Sequence, residues 1–268
     1  TILATVAARL DRLDPDARRV LRAASVFGQV FWRGGVAALV GDEAATDRWL
    51  ATLAAQEIVQ ARPESRFERE REYVFRHSFV REAAYATLTE SDRVTGHRLA
   101  GKWLSAAGET NTVALAEHFE RGKEPARAAV HWERAAEQAN KLLAHEESVR
   151  YYGLALQAMD AGGDVDVVAR CRMLNALGEA HVRGGEYLQA RESFEQAAHL
   201  ATQMGDAHEL ARAALGFETA SWSPGLPGVA AARWLREALN MLDGSEQALM
   251  AQLLSALARA LIFSGEEE

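Results

Sequence analysis

The sequence predicts a mainly α-helical chain carrying one short β element. Three observations predict it. Only five prolines occur in 268 residues, and Ala, Leu, Glu and Arg dominate, which favours helix. Apolar residues recur at three- and four-residue intervals, as in Leu3, Val6, Ala7, Leu10 and Leu13, the period of a helix with one buried face. Two β-branched or aromatic runs, Ile58–Ala61 and Glu72–Arg76, bracket the polar segment Pro63–Arg71, which has a turn composition.

Length and composition narrow the class. A chain of this size makes one or two domains, and 49% hydrophobic residues argue against disorder. A lone cysteine, Cys171, cannot form an intrachain disulfide and fits a reducing, cytoplasmic setting. No apolar run approaches the ~20 residues of a membrane helix. The start at Thr-Ile-Leu reads as the beginning of a piece cut from a longer protein. Charge is uneven: residues 1–110 carry 16 basic and 15 acidic side chains, whereas the remainder carries 14 and 23. An acidic half is a poor sink for nucleic-acid phosphates and suits a protein partner.

Taken in order, Ile2–Leu13 reads as a first helix. Asp14 is a good N-cap and Pro15 suits the first helical position, so a second helix runs from there to Phe27 and ends at Gly28. A third covers Trp32–Val40 before Gly41, and a fourth covers Glu43–Gln56 with Trp49, Leu50 and Leu53 inward. A two-stranded hairpin follows. Helices followed by a hairpin are the order of a winged-helix domain, which often binds DNA through its third helix. Here that helix offers Arg48 as its only basic residue, against Glu43 and Asp47, so a structural or regulatory role is favoured. Helices over Ser78–Leu88 and Ser91–Ala106 come next.

The stretch Phe75-Arg76-His77-Ser78-Phe79-Val80-Arg81-Glu82-Ala83-Ala84-Tyr85, then Leu88, Arg93 and His97-Arg98-Leu99-Ala100, resembles the winged-helix and linker region of bacterial STAND-type signalling ATPases. These include LuxR/MalT-like transcription regulators and proteins with an attached kinase or cyclase. Leu13–Gly28 fits the same family's entry into that region. The resemblance covers most of residues 8–105. It implies that His77 matches the histidine of the Met-His-Asp motif in related immune-receptor ATPases, which touches the β-phosphate of bound ADP. Arg76 stands where that motif has Met, and Ser78 where it has Asp. An imidazole can donate to a phosphate oxygen, and a helix N-terminus beside it adds donors. The competing reading is that His77 caps or packs at the strand end. The chain has no Gly-x-x-x-x-Gly-Lys-Ser/Thr loop, so ADP or ATP is expected only on an upstream domain of a parent protein, and no cofactor is expected on this chain.

Past residue 111 the pattern repeats. Leu174-x-x-Leu177-Gly178-x-x-His181, Gly185, Tyr187, Ala190, Phe194 and Ala197 resemble a tetratricopeptide repeat. The core recurs as Ala128/Trp132/Ala135, Ser148/Tyr152/Ala155 and Ala231/Leu235/Ala238. Spacing is irregular: 42 residues separate Ser148 from Ala190 and 41 separate Ala190 from Ala231, against the ~34 of the standard repeat. One helix over Pro125–Leu143 serves two pairs, loops fall at Asp160–Asp166 and Ser221–Gly228, and a last helix spans Ser245–Phe263. That helix reads as half of a further repeat, leaving Leu253, Leu254, Leu257, Leu261 and Phe263 as an uncovered apolar face. The resemblance places Arg172, Asn175, Glu179 and Arg183 on a concave groove, spaced three, four and four along one helix. Such a groove suits a peptide or protein segment, and Trp222 in the Pro/Gly loop is a second candidate contact.

The expected organisation is a winged helix over 1–88, a helical linker over 89–124 and a repeat superhelix over 125–268. The eight histidines form no metal-ligand cluster, and no nucleophile has an activating partner, so no catalytic or metal site is expected. The favoured reading is a regulatory scaffold of a STAND-type ATPase, partnered by a nucleotide-binding domain and by a protein or inducer on the repeats. The alternatives are a repeat adaptor without a nucleotide role and a winged-helix DNA-binding regulator.

Overall fold

The computed structural model describes residue 10 and residues 12–163 and 166–262. The expected helix Ile2–Leu13 lies almost wholly outside the described residues, as do Phe263 and the end of the chain. Two compact units divide at Ala128/Ala129. Among the described residues there are thirteen α-helices and one three-stranded sheet. None of these helices is long and apolar enough to cross a membrane.

In the first unit, α1 (Pro15–Phe27) starts where Asp14 accepts the Asp16 N–H at 2.9 Å, with Pro15 at the first position. It buries Ala17, Val20, Leu21 and Ala24. Strand β1 (Val30–Trp32) leads into α2 (Arg33–Val40), which closes at Gly41 with φ 79°. The Asp42 carboxylate caps α3 (Glu43–Ala55). Strands β2 (Val59–Ala61) and β3 (Glu72–Phe75) follow. The expected two-stranded hairpin is therefore incomplete. The order is β1-β3-β2, both pairs antiparallel, with Phe31 opposite Tyr73 and Val59 opposite Phe75. Phe31 stacks on Tyr73 at 5.7 Å and meets Phe75 at 5.1 Å. Three residues are too few to show a period of two, so β1 became a strand because β3 offered a free edge and the core took Phe31.

Beside this core, Glu72 is 4% exposed. Its carboxylate accepts from Trp32 Nε1 at 3.0 Å, the Arg66 backbone N–H at 2.9 Å and Arg62 at 2.7 Å. These bonds make its burial tolerable. Helices α4 (Ser78–Ala86), α5 (Glu90–Ala107) and α6 (Thr112–Arg121) complete the unit. Thr89 and Asp92 form a capping box at the head of α5. Gly101 lets α6 approach, since a Cβ there would lie 3.1 Å from the Phe119 ring. Between these helices Tyr85 Oη lies 2.8 Å from His97 Nε2, and His97 Nδ1 lies 3.0 Å from His118 Nδ1.

The chain continues through α7 (Pro125–Lys141) into the second unit, with α8 (His145–Gly162), α9 (Val167–Arg183), α10 (Tyr187–Met204), α11 (Ala207–Trp222), α12 (Val229–Met241) and α13 (Gln247–Ile262). From α8 onward each helix packs on the next, and α9, α11 and α13 also pack in sequence. The short connections make neighbours antiparallel. The cores Ser148/Tyr152/Ala155, Ala190/Phe194/Ala197 and Ala231/Leu235/Ala238 are all buried. Phe194 of α10 enters between α9 and α11 where both carry glycine. A Cβ at Gly178 would lie 2.7 Å from its ring, and one at Gly216 would overlap it further. Leu253 is fully buried, so the expected apolar face is narrower: Leu254 is 53% exposed and Leu257 half-buried.

Two outcomes follow from this packing. Gly216→Ala forces a methyl into the Phe194 ring and is expected to cost about 1–3 kcal/mol by overpacking, read as a lower urea midpoint. The first unit weakens in acid. Burial pushes the His97 pKa down to about 3 and that of His118 to about 4. Arg81 and Tyr85 on α4, Arg93 on α5, and Glu117 and Arg121 on α6 surround the pair, and α1 contributes Phe27. An unfolded imidazole titrates near 6.5. Below that pH the unfolded chain binds more protons, so stability is full above about 6.5 and falls toward about 3, by up to about 1.4 kcal/mol per pH unit for each ring. Denaturant midpoints between pH 7 and 4 should fall more steeply in the native chain than in His97→Gln/His118→Gln.

Candidate functional site

Strand β3 ends at Phe75, and α4 begins three residues later with no side-chain cap. His77 fills the cap position in extended conformation, φ −134° and ψ 133°, and its carbonyl accepts the Val80 N–H at 3.1 Å. Its imidazole is exposed and has no hydrogen bond or ion pair among the described residues. Ser78 is exposed at the first helical position, and Phe79 beside it is 45% exposed. Arg76 is anchored differently: its backbone N–H reaches Ile58 O at 3.2 Å and its guanidinium pairs with Glu57 at 2.8 Å. The three residues thus form a solvent-facing corner where an imidazole donor and uncapped helix N–H groups lie side by side. Such a corner can accept an anion.

The second location is the face of α9. Arg172 and Arg183 are exposed, and Glu179 is half-buried. Asn175 does not share that surface. It is fully buried, and its Nδ2 donates to Glu209 of α11, at 2.7 Å to the carboxylate and 3.1 Å to the backbone oxygen. Helical spacing alone put it with its neighbours, but the arrival of α11 turned that part of the stripe into an interface. Glu179 accepts from Arg212 Nε at 2.7 Å and from Arg183 at 3.4 Å, and Arg183 donates to Asn140 at 3.0 Å. Burial opposes the charge on Arg212, but the bond to Glu179 outweighs it and holds its pKa above the ordinary value.

A groove of about 300 Å³ opens between α9 and α11, lined by Glu179, Arg183, Arg212, Leu215 and Thr219 over Phe194 and Gly216. It unites two of the four residues expected on α9 with an arginine from the next-but-one helix. Arg212 went unnoticed because its role depends on which helix faces α9. One available signal was Gly216 four residues on, since Gly178 and Gly216 are the two positions that Phe194 needs bare. Trp222 stands apart. It is the last residue of α11, not part of the loop, and is 50% exposed. Cys171 is buried, with its thiol 3.3 Å from the Ala197 carbonyl and its pKa pushed up to about 11 by burial, so it stays an unreactive thiol. Among the described residues no three metal-capable side chains cluster.

No protein-family model matches the chain, and no curated protein matches it. Among solved structures it is similar to a signal transduction ATPase with numerous domains (STAND) carrying a tetratricopeptide repeat sensor, from Pyrococcus horikoshii. The likeness is coarse, at 12% identity and a TM-score of 0.35, and covers 97% of this chain. The chain spans 43% of the length of that protein.

The unbonded, exposed imidazole has a direct consequence. His77→Ala should leave the unfolding midpoint within about 0.5 kcal/mol of wild type, whereas Asn175→Ala leaves Glu209 without its donor and should cost about 1–3 kcal/mol. Equilibrium denaturation of the two variants side by side checks both.

Proposed function

We propose that the chain is the regulatory scaffold of a STAND-type signalling ATPase, in which the helical repeats receive a peptide or protein segment. The observation that carries this reading is the groove between α9 and α11. Its floor is apolar, and its wall holds Glu179 between Arg183 and Arg212. Arg212 also lies 3.8 Å from Glu209, so the wall is a balanced, mixed-charge surface, which suits an extended peptide or protein segment that presents polar and apolar side chains together. On this reading the first unit is a winged-helix module, and His77 with Ser78 meets a nucleotide phosphate brought by another domain. The exposed ring and uncapped helix start support that role. Arg48 is drawn over Trp49, while Glu43 and Asp47 are bound to Arg33. The outer face of α3 is therefore better fitted to structure than to duplex DNA.

The groove is tested by selecting binding peptides from a displayed library and measuring their affinity calorimetrically. Arg212→Glu is expected to weaken the selected peptides at least about tenfold, the cost of one lost charge-assisted bond. Unchanged affinity would remove the groove as the binding surface. The phosphate contact is tested in the complete natural protein by the rate of ADP release. His77→Ala is expected to speed release about tenfold; an unaltered rate leaves a repeat adaptor with no nucleotide role.

A further inference from the structure

The first unit holds a cavity of about 210 Å³ whose lining includes Arg81 and Tyr85 from α4, His97 from α5, and Glu117, His118 and Arg121 from α6, against Val26 and Phe27 of α1. The groove and the His77 corner make no use of it. Both histidines are buried, their rings 5.0 Å apart. Tyr85 Oη, His97 and His118 form one unbranched hydrogen-bonded chain.

Neutral imidazoles carry one proton each, so this chain has two consistent directions. In one, the Tyr85 hydroxyl donates to His97 Nε2, His97 Nδ1–H donates to His118 Nδ1, and His118 is left with an Nε2–H donor. In the other every bond reverses and His118 Nε2 becomes an acceptor. The charges around the cavity choose between them. Arg81 and Arg121 line it and only Glu117 opposes them. Among the described residues each guanidinium is held only by a long ion pair. Arg81 lies 3.9 Å from Glu82 and Arg121 lies 3.8 Å from Glu117, and neither donates a hydrogen bond among the described residues. By contrast Arg33, Arg62 and Arg66 donate to carboxylates at 2.6–3.1 Å. Two guanidinium forks that are loosely ion-paired but make no hydrogen bond among the described residues, beside a directional donor chain, form an acceptor for negative charge.

We propose that this cavity binds a phosphate-sized dianion, held by Arg81 and Arg121 and by the Nε2–H of His118. Its volume lies below the ~300 Å³ at which pockets begin to hold larger organic ligands, so the ion is taken free and not as part of a nucleoside. The neutral state of the pair fits this role, since burial keeps both rings uncharged at neutral pH and leaves the arginines as the charged partners. Bound there, the ion ties α4, which starts at Ser78 directly after His77, to α6.

The probe is inorganic phosphate added to the whole chain at pH 7.5, with sodium chloride at matched ionic strength as control. Thermal unfolding is expected to shift upward and saturate with phosphate and with sulfate, but not with adenosine monophosphate. Arg81→Gln removes a half-buried side chain and Arg121→Gln an exposed one, neither with a hydrogen bond among the described residues, so both fold, and each should weaken the apparent affinity about tenfold. Nitrogen NMR of the imidazoles reports the direction of the chain: phosphate should convert His118 to the Nε2–H tautomer. The proposal is overturned if phosphate does no more than chloride. It is equally overturned if the arginine variants bind phosphate as well as wild type, if adenosine monophosphate binds as tightly as phosphate, or if the His118 resonances stay unmoved.

Discussion

The ring of Phe194 sets how closely the repeat helices approach. It projects from α10 into the gap between α9 and α11, and both of those helices present a bare glycine to it. A fully buried aromatic ring contributes several kcal/mol of apolar burial, but only if its neighbours reach van der Waals distance. Glycine inside a helix costs about 1 kcal/mol relative to alanine. The gain in packing offsets that cost twice over. Alanines at 190, 197, 198, 201, 211, 213 and 214 then close the rest of the interface without residual exposure.

The groove is a consequence of that approach. Because α9 and α11 are drawn to opposite sides of one ring, their outward edges carry Glu179, Arg183 and Arg212 to the same place. Asn175, one turn earlier on α9, is swallowed by the contact and satisfies itself on Glu209. A single packing event thus sorts one polar stripe into an interface residue and a surface network. The first unit handles buried polarity in a related way. Glu72 is surrounded by three donors. The His97–His118 pair avoids charge, first because burial strips the charged form of its water and then because two adjacent imidazolium ions beside Arg93 and Arg121 would repel.

Most helices were legible because their signals are local. Asp14-Pro15, Asp42 and the Gly41 stop mark ends that depend on a few neighbouring atoms. The same holds for the buried core triplets, whose small–aromatic–small spacing is a property of one helix. The His77 corner was legible as well, being a strand end followed directly by a helix start. Strand β1 was not, because three residues carry no period and the strand exists only by pairing with Glu72–Phe75, some forty residues later. Ser-Trp-Ser-Pro-Gly reads as a breaker, which places Trp222 in a loop, yet α11 runs through Trp222 and is capped at Ser223.

By itself the sequence determined the helical class, the positions of most helices, the small-residue faces by which they pair, and the place of His77 at the junction of β3 and α4, though not its exposure. These depend on dihedral preference and on apolar period, both written within a few residues of the place they act. Only the tertiary structure decided that Arg212 joins Glu179 and Arg183 while Asn175 leaves them. It also decided that Tyr85, His97 and His118 share one hydrogen-bonded chain and that β1 completes the sheet. Each of those contacts joins positions on different elements, and which elements meet is set by how the cores pack.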